Sequence, residues 1–197
     1  GVPASAEQAI AWTRAAAAWA GGVPLTGFAL DALVTLAGGD HMVLVEMAQA
    51  LKASGLDGVA SAPIDQLGDD PAEVVRAALH AGLAVRRATF REAAMAARLD
   101  LIERAGAIQR ETGAFSALAP LPEVDPVDAP STGYDDVKTI AVARLVAAVI
   151  PHIQVDWTLY GPKLAQVAIE YGASAVSEQP VAELGGAPTT YIARQPI

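Results

Sequence analysis

Cysteine is absent from this sequence of 197 residues. Without thiols the chain can form no disulfide, no thiolate zinc site and no cysteine-ligated iron–sulfur cluster of its own. Histidine is also scarce, and the three histidines, His41, His80 and His152, are too far apart in sequence to make a local metal motif. We therefore expect no metal site within this chain.

Basic residues are few: 13 Lys and Arg stand against 22 Asp and Glu, a formal net charge of −9. Nucleic-acid binders need a basic surface, so we expect neither nucleic acid nor an anionic membrane as a partner. Long hydrophobic runs are also missing, because Arg144 interrupts the longest apolar stretch, and a membrane span needs about 20 apolar residues. Residues 1–8 lack a signal-peptide pattern, so the expected location is the cytoplasm.

The sequence does contain a regular alternation of helical patterns and short β-like runs. Asp70-Pro71 and Thr132 to Asp135 have the form of helix starts. Helices are predicted over residues 5–20, 30–36, 42–54, 71–81, 91–112, 132–149 and 162–171. Strands are predicted over residues 23–28, 56–62, 84–90, 114–119 and 150–157, with a weaker one over 189–193.

Strands that are each followed by a helix predict an α/β fold with a parallel sheet flanked by helices. A complete eight-unit barrel needs about 200–250 residues, whereas this chain holds five or six units. From the pattern alone, an incomplete barrel and an open doubly wound sheet both fit.

One block in the last third carries a family resemblance. Thr132-Gly-Tyr-Asp-Asp-Val-Lys-Thr-Ile-Ala-Val-Ala-Arg-Leu145 is followed by Ile150-Pro-His-Ile-Gln-Val-Asp-Trp157 and Leu159-Tyr-Gly-Pro-Lys-Leu-Ala-Gln-Val-Ala168. The block resembles the radical SAM enzymes of the futalosine route to menaquinone, dehypoxanthine futalosine cyclase and aminofutalosine synthase, and more distantly FO synthase. The match is densest over residues 132–172, and weaker matches upstream align the chain with the part of that family after its second strand.

This resemblance implies a single domain over residues 1–197, a partial (β/α) TIM-type barrel whose first strands are missing. It also implies a [4Fe–4S] cluster and S-adenosylmethionine, yet the family's three-cysteine loop has no counterpart here. The family's glutamate-containing glycine-rich stretch is replaced by Ser61-Ala-Pro-Ile-Asp65. We therefore expect a radical SAM-like protein that holds no cluster alone and needs a cluster-bearing partner chain or a missing segment for activity.

Five residues are candidates for binding a substrate. Asp156, Trp157 and Tyr160 lie at the end of a predicted strand and in the loop after it, the end that builds active sites in barrels. They could form a platform for a purine, a ribose or an aromatic substrate, or Trp157 could pack under a loop while Asp156 bonds the next helix. Arg87 and Thr89 could point into the barrel and meet a carboxylate, either of a ligand or in a packed salt bridge.

Two other functions fit the same residues. The chain could be a non-catalytic paralogue that binds a nucleoside-like or aromatic metabolite, or a structural subunit. Because a partial barrel leaves sheet edges open, we expect a homodimer or a partner chain to cover an edge near residues 23–28, or the predicted strand at 189–193 to close the sheet.

Overall fold

The computed structural model describes residues 2–92, 94–123 and 132–177. Strands and helices alternate throughout these ranges. The strands are β1 (Thr26–Ala29), β2 (Gly58–Pro63), β3 (Arg87–Arg91), β4 (Ala117–Leu121), β5 (His152–Val155) and β6 (Ala175–Val176). The helices are α1 (Ala6–Ala20), α2 (Leu30–Leu36), α3 (His41–Ala53), α4 (Pro71–His80), α5 (Met95–Thr112), α6 (Gly133–Val146) and α7 (Trp157–Glu170).

The six strands form one parallel sheet whose spatial order repeats their order in the chain. An open doubly wound sheet reverses its strand order at a switch point, and the described sheet has no such reversal. Right-handed crossovers between successive neighbouring strands place the connecting helices on one side of the sheet, as in a barrel. The predicted partial (β/α) barrel is confirmed, and the doubly wound alternative does not apply to the described residues.

Two helices start at the capping residues that the sequence indicates. Asp70 accepts a hydrogen bond from the Glu73 N–H at 3.0 Å, and Pro71 occupies the first helical position of α4. Thr132 and Asp135 form a reciprocal capping box at the start of α6. Such caps satisfy amide groups that helix geometry leaves without intrahelical partners, and both predicted starts are confirmed.

The hydrophobic core lies between the sheet and its helices. Ala88, Leu118 and Ile153 are neighbours across β3, β4 and β5, and each is fully buried. They belong to the same buried cluster as Ile102 of α5 and Ile140 of α6. Since successive strand residues point to opposite faces, the residues between them face away from the helices. No helix among the described residues has the length and apolar character needed to cross a membrane.

Several predicted boundaries differ from the structure, two of them at residues of the carboxyl edge, and β6 is not among the predicted strands. Arg91, expected in a helix, is the last residue of β3, and α5 begins only at Met95. Trp157, expected to end a strand, is the first residue of α7, because the Asp156 side chain accepts a hydrogen bond from the Thr158 N–H and caps the helix there. Helix α7 is kinked at Gly161, so a second helical segment follows from Pro162 as predicted. The strand predicted at 189–193 lies outside the described residues.

Candidate functional site

A cavity of about 300 Å³ lies at the carboxyl ends of the strands. Parallel strands bring these ends to one edge of the sheet, which is the active-site face of barrels. The lining residues lie in β1 to β4 or just after β1, β2 and β5. The polar and charged side chains among them include Asp31, Asp65, Arg87, Thr89, Arg91 and Asp156.

Arg87 and Asp156 form an ion pair in this cavity. The Arg87 Nη2 donates to the Asp156 Oδ2 at 3.2 Å, and the two side chains are 27% and 17% exposed. Asp156 also accepts from the N–H and the hydroxyl of Thr158, at 3.0 and 2.6 Å. Burial opposes ionisation of Asp156, but the hydrogen bonds from Thr158 and Arg87 outweigh it and hold its pKa below the ordinary value. Asp156 is therefore ionised at neutral pH and holds the Arg87 guanidinium in place.

Strand β3 presents Arg87, Thr89 and Arg91 on one face, because alternate residues of a strand share a side. All three line the cavity, and Thr89 is only 4% exposed. The Arg87 Nε is buried and has no hydrogen-bond partner among the described residues. A buried donor without a partner is costly, so this nitrogen has the capacity to donate one further hydrogen bond.

Trp157 and Tyr160 do not line this cavity. Trp157 is half-buried at the start of α7, and its backbone N–H donates to the Ser177 hydroxyl at 3.1 Å. The Tyr160 hydroxyl donates to the Pro120 carbonyl at 3.1 Å, and burial raises the pKa of Tyr160. The structure thus brings Arg87, Thr89 and Asp156 together and places Trp157 and Tyr160 in packing positions beside them. That any of the five binds a substrate stays a prediction.

Two carboxylates of the cavity are absent from the sequence-based candidates. Asp31 lies in the first turn of α2, after β1, and Asp65 follows β2. Burial is the main reason why the pKa of Asp65 is raised, and the nearby charge of Asp31 adds to it. The signal that could have found them is their position, since each follows a predicted strand at the edge where Asp156 also lies.

A second polar cluster joins α5 and α6. Arg98 is 1% exposed and donates from Nη1 to Asp136 Oδ1 at 3.3 Å and to the Thr139 hydroxyl at 2.7 Å. Its Nε donates to the Glu92 carbonyl at 2.5 Å. The charges of Asp136 and Arg98 both act on Tyr160, so this buried ion pair lies next to the first turn of α7.

Phe28 marks the end of β1 near the cavity. Its φ of 56° is in the left-handed region, which a bulky residue rarely adopts. The next residue, Ala29, lines the cavity, and so does Asp31 in the first turn of α2. Strained backbone of this kind concentrates at functional sites, which agrees with the polar character of this edge.

The described residues therefore define a partial parallel (β/α) barrel with a polar cavity at the carboxyl ends of its strands. No family model matches the sequence. Aminodeoxyfutalosine synthase of Thermus thermophilus is 34% identical over 105 residues, which cover 47% of this chain and 28% of that protein. A 5-amino-6-(D-ribitylamino)uracil–L-tyrosine 4-hydroxyphenyl transferase of Methanosarcina mazei is 31% identical over 161 residues, or 68% of this chain and 42% of that protein.

These relatives confirm the resemblance to futalosine-route enzymes and to proteins related to FO synthase. The chain spans less than half the length of either curated relative. Among solved structures, one described as an aldolase covers 87% of the chain at a TM-score of 0.41 and 10% identity. A lyase/mutase from Burkholderia cenocepacia covers 89% of the chain at a TM-score of 0.46 and 18% identity. Both scores are low, so the assignment of the fold depends on the strand order itself.

Proposed function

We propose that this chain is a radical SAM-like protein of the futalosine route to menaquinone and that its cavity binds a small polar metabolite. The kinship in sequence supports the first part. The observation that carries the second is the Arg87–Asp156 ion pair in a polar cavity at the carboxyl ends of the strands. L-tyrosine and 5-amino-6-(D-ribitylamino)uracil are both named for the Methanosarcina relative, so aromatic and nucleoside-like compounds are the ligand classes we propose.

The residues of this chain do not fit an iron–sulfur cluster. Such a cluster is held by thiolates, and the sequence has no cysteine. Among the described residues no group of three or more His, Asp or Glu could hold a metal ion either. We therefore assign no radical step to this chain. Its own residues bind and orient a ligand, and a cluster-bearing partner chain or a further segment would generate the radical from S-adenosylmethionine.

Calorimetric titration of the purified chain with L-tyrosine and with adenosine tests ligand binding. Arg87→Gln should weaken binding of the better ligand at least tenfold, because it removes the charge that pairs with Asp156. Arg86→Gln is the matched control, since Arg86 is exposed and directly precedes β3. Absence of binding for both compounds, or equal loss in the two variants, would contradict the proposed binding function.

Anaerobic treatment with iron and sulfide tests the role of the cluster. We expect the isolated chain to gain no cluster absorbance and to cleave no S-adenosylmethionine. Cleavage that appears only with a cysteine-bearing partner protein would support the proposal that this chain acts together with a cluster-bearing partner. A chain that binds the ligand and supports no cleavage with any partner would instead be a non-catalytic paralogue. We further propose a cytoplasmic location, which cell fractionation checks.

The outer edge of β1 is a place where another chain could pair. Among the described residues β1 pairs only with β2, so its other edge is open. Open edges are templates for pairing with another chain, and we propose that a second copy or a partner chain covers this one. Light scattering at micromolar concentration should show a dimer or, with the partner present, a heteromer. A stable monomer under both conditions would rule this out.

A further inference from the structure

The cavity has a second group of polar atoms opposite in charge to those on β3. Asp31 and Asp65 both line it, and the Oδ1 of each is buried without a hydrogen-bond partner among the described residues. The Asp65 Oδ2 is occupied, since it accepts from the Arg91 N–H at 3.4 Å. One acceptor oxygen on each carboxylate is therefore left for a ligand.

Charge balance favours a cationic ligand group at these oxygens. Asp31, Asp65 and Asp156 line the cavity with Arg87 and Arg91, which leaves one excess negative charge when all are ionised. Arg87 is already paired with Asp156. Arg91 offsets one of the two remaining negative charges, yet the charge of Asp31 still disfavours ionisation of Asp65. A cationic ligand group that contacts both carboxylates would relieve that repulsion.

A metal ion is a poor candidate for this cation. No group of three or more His, Cys, Asp or Glu within the described ranges could hold one. A protonated amine needs fewer ligands, because its N–H groups can each donate to one carboxylate oxygen.

Strand β3, which Asp65 contacts through the Arg91 N–H, can hold an acceptor group of the same ligand. Thr89 is 4% exposed and lines the cavity, and no hydrogen bond of its hydroxyl to another described residue is found. The unpartnered Arg87 Nε lies on the same strand face, two residues earlier. Both are donors, so they complement a carboxylate or a carbonyl.

We propose that Asp31 and Asp65 form an amine-recognising subsite, which selects ligands with a protonated amine at one end and an acceptor at the end facing Arg87 and Thr89. This inference rests on the proposed binding function of the same cavity. It adds which chemical group the cavity requires and which residues recognise it.

Three related compounds separate the contributions of the ligand groups: L-tyrosine, tyramine, which lacks the carboxylate, and 3-(4-hydroxyphenyl)propanoate, which lacks the amine. Titrated calorimetrically into the full chain, the propanoate should bind at least tenfold more weakly than L-tyrosine. Asp31→Asn and Asp65→Asn should each weaken the binding of L-tyrosine and of tyramine at least tenfold, and should leave the binding of the propanoate unchanged. Asp69→Asn is the control, since Asp69 is exposed and does not line the cavity.

The outcomes distinguish the two proposals. If none of the three compounds binds the unaltered chain, both the binding function and the subsite are overturned. If L-tyrosine and the propanoate bind equally, or if the two Asn variants behave like Asp69→Asn, the subsite alone is overturned. The comparison of ligands on the unaltered chain decides the matter even where a variant fails to fold.

Discussion

Replacement of Arg98 by methionine should be the most destabilising change outside the cavity. The guanidinium is buried and holds Asp136, which is 3% exposed, together with Thr139 and the Glu92 carbonyl. Removing one member of a buried ion pair typically costs about 3–5 kcal/mol. The Arg98 Nη2 is buried without a partner among the described residues. Because Arg98→Met also removes the cost of burying this donor, we expect a loss at the low end of the range, near about 3 kcal/mol.

Urea unfolding followed by circular dichroism measures this loss. With an m-value of about 2 kcal/mol/M, a loss of about 3 kcal/mol lowers the midpoint by about 1.5 M. Arg104→Met is the matched control, because Arg104 is exposed on the same helix, and a surface change there should stay within about 0.5 kcal/mol.

A double-variant cycle isolates the pair itself. Asp136→Asn in the Arg98→Met background removes the buried negative charge, so the double variant should be more stable than the sum of the single losses predicts, by about 1–3 kcal/mol. Equal stability of the Arg98→Met and Arg104→Met variants, or strict additivity in the cycle, would refute the reasoning that the buried charge pair stabilises the junction of α5 and α6.

Three further predictions concern single positions. Tyr160→Phe loses the hydrogen bond to the Pro120 carbonyl and should lower stability by about 1 kcal/mol in thermal unfolding, whereas no change would show that the bond contributes nothing. Asp65→Asn should raise stability at pH 7. The pKa of Asp65 is raised in the folded state, so folding is penalised when this carboxylate is ionised. This penalty develops as pH rises from the ordinary pKa of Asp through the raised pKa of the folded state. The gain over the unaltered chain should shrink as pH falls towards 4, and a gain independent of pH would contradict this cause. Gly58→Ala should cost about 1–3 kcal/mol in urea unfolding, because the added Cβ would lie 2.6 Å from the Ala84 carbonyl oxygen. An unchanged unfolding midpoint would mean that the backbones at Gly58 and Ala84 move apart without cost.

Much of the fold follows from local signals in the sequence. Strand and helix order could be predicted because caps such as Asp70 and Thr132 and the helical periodicity act within a few residues. The boundaries failed where a polar side chain changes the backbone locally. Asp156 ends β5 and starts α7 by accepting the Thr158 N–H. The alternative that Asp156 bonds the next helix is therefore correct, but the apolar run through Trp157 did not show that this helix begins at Trp157 and not at Pro162.

The site was only partly predictable because its contacts join distant residues. Arg87 and Asp156 are 69 residues apart in the chain. Strand position predicted that Arg87 could form a packed salt bridge, but nothing in the sequence identified Asp156 as its partner. Asp31 and Asp65 acquire significance only when the parallel sheet brings the ends of β1 and β2 to the same cavity. A buried polar atom without a partner is a property of the packed structure, and no sequence pattern reveals it.

The sequential strand order has a consequence for how the chain is made. Thr26 pairs with Gly58, Ala88 with Leu118 and Gln154 with Ala175, so each strand joins a neighbour synthesised roughly 20–35 residues earlier. A ribosome adds about 5–20 residues per second, whereas elementary pairing steps take microseconds. Each new βα unit can therefore dock onto the growing edge before the next unit emerges. Every intermediate during translation exposes one fresh sheet edge, and slow translation should favour orderly growth from β1 towards β6 over aggregation through those edges.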